Sequence, residues 1–206
     1  MGIKENKNKI KRDIELLFEV GVFRHLDRVW KQFLNPNVAN CSEHTFRVVW
    51  VASTIAKYEK NVDTEKLLKM ALLHDLPESR CGDVHYLSRQ YVERKEMEAI
   101  DDMFGGTSHG SEMGDLIREY EDRKTIESKI VKDADNIDVE LELRELKFSG
   151  HSLGGVWTEN RKKMVYPKLY SKTARLFWDE IHKANPHDWH LNSPKNRFAG
   201  GDWKKK

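Results

Sequence analysis

Four side chains in this sequence read as one donor set. His44 falls on an apolar helical stripe, His74 falls on another and is followed at once by Asp75, and Asp135 interrupts an apolar face of a third helix. Two imidazole nitrogens and two carboxylate oxygens suit a single borderline or hard divalent ion, and Mn, Co, Ni, Fe, Zn and Mg all qualify. Around a six-coordinate ion, four protein ligands leave two positions for water and a phosphate oxygen, which is the arrangement of a hydrolytic centre. The two carboxylates cancel the ion's formal charge, so an anionic substrate can bind and its product can leave. Asp133 is the rival to Asp135 on the same helix.

These donors need helices to carry them. His44, Val48, Val51, Ala52 and Ile55 recur at helical spacing, so the first histidine faces inward. Asp63 reads as the N-cap of the next helix, in which Leu67, Met70, Ala71 and His74 follow at i, i+3, i+4 and i+7 until Pro77 ends it. A long helix over 125–146 carries two stripes, Ile126, Ile130, Ala134, Ile137 and Leu141 on one side and Val131, Val139 and Leu146 on another, with Asp135 within the second. A helix apolar on more than one face is buried, and an acid there requires a cation, a hydrogen-bond partner or a metal. Ile10, Ile14, Leu17 and Phe18 form the stripe of an N-terminal helix, and further helices are expected over 88–104, 112–120 and 167–184. The Gly- and Ser-rich segments 105–111 and 147–157 read as loops, and 200–206 as a frayed basic tail. The fold class is therefore all-α.

Composition narrows the function classes. A chain of 206 residues suits one domain at ~150 residues per domain. With 38% hydrophobic and 34% charged residues it is globular, and no apolar run approaches the ~18 residues needed to span a bilayer. Two cysteines, Cys41 and Cys81, read as reduced thiols of a cytoplasmic protein. A net charge of +2 gives no electrostatic footprint for a nucleic-acid polymer, while a small anionic substrate stays open.

The order His44, then His74-Asp75, then Asp135 resembles the H…HD…D signature of HD-domain phosphohydrolases. Ser42-Glu43-His44-Thr45-Phe46-Arg47-Val48 is similar to the A-E-H-S-x-R-V segment of the HD-type 5′-deoxynucleotidases. Ala71-Leu72-Leu73-His74-Asp75-Leu76-Pro77-Glu78, with Gly82-Asp83 after it, is similar to that family's A-L-x-H-D-x-x-E-x-x-x-G-D, and Lys132-Asp133-Ala134-Asp135 completes the pattern, its register selecting Asp135 over Asp133. The resemblance implies a single helical HD domain over 1–206, with a family-like core of about 30–146 and a C-terminal extension of a helix and loops over 147–206. It implies one divalent metal, a nucleotide substrate and a homodimer. By the same resemblance Glu78 positions or deprotonates the attacking water and later protonates the leaving alkoxide, while Asp83 helps orient substrate or proton transfer. Trp30, fourteen residues before His44, matches the family's tryptophan beside the sugar; the arginine expected immediately before it is Val29 here, with Arg28 one place away.

Two cations lie one helical turn from the donors, Arg47 three residues after His44 and Lys132 three before Asp135, and both are candidates for holding phosphate. The expected reaction is hydrolysis of a (deoxy)nucleoside 5′-monophosphate to nucleoside and phosphate. The alternatives are a triphosphohydrolase acting on deoxynucleoside triphosphates, or a scaffold that binds metal or nucleotide without turning it over.

Overall fold

The computed structural model describes residues 3–34 and 38–192. Its order is α1 (Ile3–Val22), a 3₁₀ turn (Phe23–His25), α2 (Lys31–Leu34), α3 (Cys41–Ala56), α4 (Thr64–Leu73), α5 (Glu78–Cys81), a 3₁₀ turn (Ser88–Gln90), α6 (Glu96–Phe104), α7 (Glu112–Asp122), α8 (Ile126–Phe148), α9 (Ser152–Met164), a 3₁₀ turn (Tyr166–Lys168), α10 (Lys172–Lys183) and α11 (Asp188–Leu191). Among the described residues there is no strand, only an isolated bridge between Asp27 and Asn40, so the all-α expectation holds. Two compact units divide the chain, Met1–Asp138 and Val139–Lys206.

In the first unit, α3 starts at a reciprocal cap. Asn40 Oδ1 accepts from Glu43 N and Glu43 Oε2 accepts from Asn40 N, both at 2.9 Å, which satisfies two donors that a helix start leaves open. All five residues of the expected stripe, His44, Val48, Val51, Ala52 and Ile55, are buried. α4 begins at Asp63, whose side chain accepts from Lys66 N at 3.1 Å, and it packs on α3 and α7. Lys66 Nζ bridges Glu119 at 2.8 Å and Glu127 at 2.9 Å, while Glu127 Oε1 accepts from Asp63 N at 2.8 Å, so the starts of α4 and α8 are tied together.

The N-terminal stripe departs from expectation. α1 forms, yet Ile10, Ile14, Leu17 and Phe18 are exposed and it is Leu16, off that stripe, that enters the core. The helix expected over 88–104 is only half present: 91–95 is not helical, and Arg94 there is drawn to Glu78 at 3.2 Å and Glu96 at 2.7 Å.

In the second unit, the segment 147–157 is largely not a loop, because α9 starts at Ser152 and runs through Gly154 and Gly155. A Cβ on Gly154 would lie 2.9 Å from Leu143 O, so glycine here permits close helix approach rather than a turn. The helix expected over 167–184 becomes the Tyr166–Lys168 turn followed by α10. Trp178 on α10 is fully buried, as is Glu140, whose carboxylate takes Arg161 Nε at 2.5 Å and His182 Nε2 at 3.1 Å. The tail 200–206 lies outside the described residues.

Candidate metal centre and active site

His44, His74, Asp75 and Asp135 converge from α3, the end of α4 and α8. His44 Nε2 lies 3.4 Å from Asp75 Oδ2, 3.4 Å from Asp135 Oδ1 and 3.4 Å from His74 Nε2, and His74 Nε2 lies 3.3 Å from Asp75 Oδ2. Donors bound at ~2.1 Å to a shared ion sit roughly 3.0–3.4 Å apart, so this spacing fits one. Among the described residues, His44, His74 and Asp75 form a set that could hold a metal ion.

The ring orientations fit as well. His44 Nδ1 faces Asp138 Oδ2 at 2.5 Å and His74 Nδ1 faces Ala71 O at 2.8 Å. Both partners only accept, so each Nδ1 carries the hydrogen and each neutral ring turns an Nε2 lone pair towards the same point. Without an ion, burial works against a charge on His44, but hydrogen bonds to Asp135, Asp138 and Asp75 hold its pKa well above the usual imidazole value. Burial likewise opposes ionisation of Asp75 and Asp135, yet His74 and His44 hold Asp75, and Lys132 and His44 hold Asp135, well below the ordinary carboxylate range.

Asp138 was not among the residues singled out from the sequence. It is fully buried, and beyond His44 it receives Arg47 Nε on its other oxygen. Arg47 thus engages the carboxylate behind His44. Lys132 Nζ reaches Asp135 Oδ2 at 2.7 Å, leaving Oδ1 for the side facing His44. Asp133, about 200° round the helix from Asp135, is buried on another face.

A second group lies alongside. Cys41 N donates to Leu26 O at 3.0 Å, tying the turn that carries Arg28 to the start of α3. Arg28 is buried with Nη1 3.6 Å from Asp75 and Nε 3.9 Å from Asp83; neither nitrogen has a hydrogen-bond partner. Asp83 follows Gly82, whose φ of 74° suits glycine, and accepts from Val29 N at 2.9 Å, fixing the turn between Arg28 and Trp30. Glu78 opens α5 and is buried rather than a solvated loop acid. Its Oε1 receives Arg94 Nη1 at 3.2 Å and its Oε2 is unpartnered. Burial, then Asp75 and Asp83, push its pKa up to about 9 against the pull of Arg28 and Arg94. Trp30 is half-buried, and its carbonyl accepts from Phe33 N and Leu34 N at the start of α2. The ten residues selected from the sequence all fall within the first unit.

A buried cation and a buried acid with open hydrogen-bonding groups, beside a convergent His and Asp set, are the parts of a hydrolytic site for an anionic ester. The family model described as HD domain matches residues 20–176. The chain belongs to the HD-domain family. Relatives of this HD-domain chain include the 5′-deoxynucleotidase HDDC2 of Dictyostelium discoideum, 35% identical over 69% of this chain and 77% of that protein. The protein of the same name from Danio rerio is 30% identical over 61% of this chain and 65% of its own length. A conserved hypothetical protein from Pyrococcus furiosus shares the fold at a TM-score of 0.67 and 25% identity, covering 83% of this chain and 99% of that one. A predicted metal-dependent phosphohydrolase from Magnetospirillum magnetotacticum does so at 0.69 and 20%, covering 86% and 93%.

Proposed function

We propose that this HD-domain enzyme is a phosphomonoesterase that hydrolyses (deoxy)nucleoside 5′-monophosphates to nucleoside and phosphate. The observation that carries the reading is the convergence of His44 Nε2, His74 Nε2, Asp75 Oδ2 and Asp135 Oδ1 beside the open groups of Arg28 and Glu78. The substrate class follows the relatives named 5′-deoxynucleotidase.

His44, His74, Asp75 and Asp135 are assigned as the ligands of one divalent ion, of the set Mn, Co, Ni, Fe, Zn or Mg. When bound, such an ion eases deprotonation of water and offsets charge on phosphoryl oxygens. Asp138, held by Arg47, fixes the His44 ring, and Lys132 fixes Asp135. Arg28 supplies buried positive charge with open donors for the phosphate, and Asp83 keeps the turn of Arg28 and Trp30 in place. In the reaction water oxygen joins phosphorus, the P–O5′ bond breaks, and one proton of the water ends on the nucleoside hydroxyl. Glu78, whose burial beside Asp75 and Asp83 favours the protonated carboxyl, gives a proton to O5′ and is reprotonated from the water. Trp30 is assigned to the sugar, where an apolar wall disfavours an added 2′-hydroxyl by at most ~10² in kcat/KM.

No helix among the described residues is long and apolar enough to cross a membrane. Free Cys41 and Cys81 suit a reducing compartment, and we assign the enzyme to the cytoplasm, acting as one HD domain over 1–206 in a homodimer. The deciding experiment treats metal-stripped protein with each candidate ion and with matched ribo- and deoxynucleoside mono- and triphosphates, separating products chromatographically. Nucleoside and phosphate from monophosphates are expected; pyrophosphate or triphosphate from triphosphates alone would replace this reading with the triphosphohydrolase.

A further inference from the structure

Beyond Arg28 and Trp30 lie aromatic rings that the hydrolytic chemistry does not use. Phe33 stands three residues after Trp30 and its backbone N donates to Trp30 O at 3.0 Å, so the two side chains lie about one turn apart at the start of α2. The Phe33 ring meets His85 edge-on, with centroids 5.1 Å apart, and is offset from Tyr86 at 6.1 Å with 26° between the two planes. His85 and Tyr86 follow Asp83 by two and three residues, and Asp83 Oδ2 accepts from Val29 N at 2.9 Å. One carboxylate thus fastens the loop of His85 and Tyr86 to the turn that carries Arg28 and Trp30.

This loop is braced by its own hydrogen bonds. His85 Nδ1 accepts from Leu87 N at 3.2 Å and Ser88 N at 3.3 Å, so that nitrogen carries no hydrogen and Nε2–H donates to Ser88 Oγ at 2.9 Å. Arg89 Nε closes the turn on Val84 O at 2.8 Å. His85 is thereby engaged within its own loop and Phe33 is half-buried, whereas Tyr86 is 60% exposed. An exposed aromatic ring on a fixed turn, backed by a second ring and joined to the arginine assigned to phosphate, is a surface on which a flat ligand stacks without first having to order a mobile chain.

We propose that Tyr86, backed by Phe33, stacks on the nucleobase of the substrate, and that this stacking favours purine monophosphates over pyrimidine ones. The inference rests on the nucleotide reading above and deepens it by naming a residue that selects the base. With phosphate at Arg28 and sugar at Trp30, the base is the part of the ligand left to reach Phe33 and Tyr86. Every base offers a π face, so a platform of this kind accepts all of them and ranks them by stacking strength, which puts the two-ring bases first.

Calorimetric titration of the metal-loaded full chain tests this, with non-hydrolysable phosphonates of deoxyadenosine, thymidine and 2-deoxyribose in which a methylene group replaces O5′. The wild type should bind the deoxyadenosine analogue most tightly and the baseless 2-deoxyribose analogue least. Tyr86→Ala should weaken the deoxyadenosine analogue ~5–150-fold, the loss that removing one stacked aromatic brings, and leave the 2-deoxyribose analogue unchanged. Tyr86→Phe keeps the ring and should bind as the wild type does. Tyr91→Ala, at a position 86% exposed further along the same segment, should change nothing. Three results overturn the proposal: a wild type that binds the deoxyadenosine analogue no more tightly than either of the others, a Tyr86→Ala variant that loses all three equally, or a Tyr86→Phe variant as weak as Tyr86→Ala. Turnover of the matching monophosphates is read separately, so tight Tyr86-dependent binding without hydrolysis would count against the phosphomonoesterase reading alone.

Discussion

His44 Nδ1 meets Asp138 Oδ2 at 2.5 Å, and Arg47 Nε occupies the other oxygen of the same buried carboxylate. One acid therefore sets the tautomer of the histidine, and one arginine sets the acid. Asp138→Asn keeps the volume but offers an amide that can donate as well as accept, so the proton on Nδ1 is no longer imposed. Metal affinity should fall ~10–100-fold, the usual cost of losing the partner behind a histidine ligand. Competitive titration against a chelator measures it. Unchanged affinity in a variant of wild-type helicity would remove Asp138 from the site.

Proton competition follows from the same histidine. In the ion-free protein His44 keeps its charge above the usual imidazole pKa because Asp135, Asp138 and Asp75 surround it, although burial opposes this. A metal takes Nε2 only after that proton leaves. Loading near neutral pH should therefore release a proton, and apparent affinity should fall as pH falls. Calorimetry in buffers of different ionisation enthalpy reads the proton directly. A binding enthalpy that is the same in every buffer would show that His44 is already neutral.

How far the residues announce all this depends on what periodicity encodes. The burial of His44 and His74 is legible because each shares a 3.6-residue stripe with neighbours that are themselves buried. Asp138 had a signal too, standing four residues after Ala134 and seven after Val131, both fully buried, where an acid must have a partner. On α1 the pattern reveals a helix and misassigns its inward side, because an amphipathic stripe fits a partner surface as well as a core. Around 91–95 the deciding contacts of Arg94 with Glu78 and Glu96 are tertiary and leave no local trace. Arg28 reaches the site through a backbone bond between Cys41 and Leu26, which no spacing encodes.

Glu78 links chemistry to stability with opposite signs. Glu78→Gln should retain metal and lower turnover by ~10²–10⁴, the range for a positioned acid or base. In the folded, metal-free chain its proton stays on up to about 9, whereas in the unfolded chain it leaves near the ordinary 4.5. Between those values unfolding releases a proton, so stability falls as pH rises. Removing the acid should thus raise the melting temperature of metal-free protein at pH values between the two, and the gain should vanish as pH falls to the ordinary carboxylate range. A variant less stable than wild type across that window would mean that the ionised carboxylate is favourable where it lies.

The two glycines of α9 should respond in opposite directions, although both stand inside the same helix. A Cβ at 154 would meet Leu143 O at 2.9 Å and Lys147 N at 3.2 Å, both backbone atoms of the helix alongside, which can yield only if the helix moves. Gly154→Ala should therefore cost ~1–3 kcal/mol, the range for an overpacked contact, despite alanine's better helix propensity. At 155 a Cβ meets nothing within 4 Å, and Gly155→Ala should gain up to ~1 kcal/mol from propensity alone. Thermal unfolding of the pair measures both, each serving as the other's control for adding a methyl group to this helix. Equal shifts of the same sign would mean that Leu143 and α9 are not in close contact, and that the glycines serve only to loosen the segment.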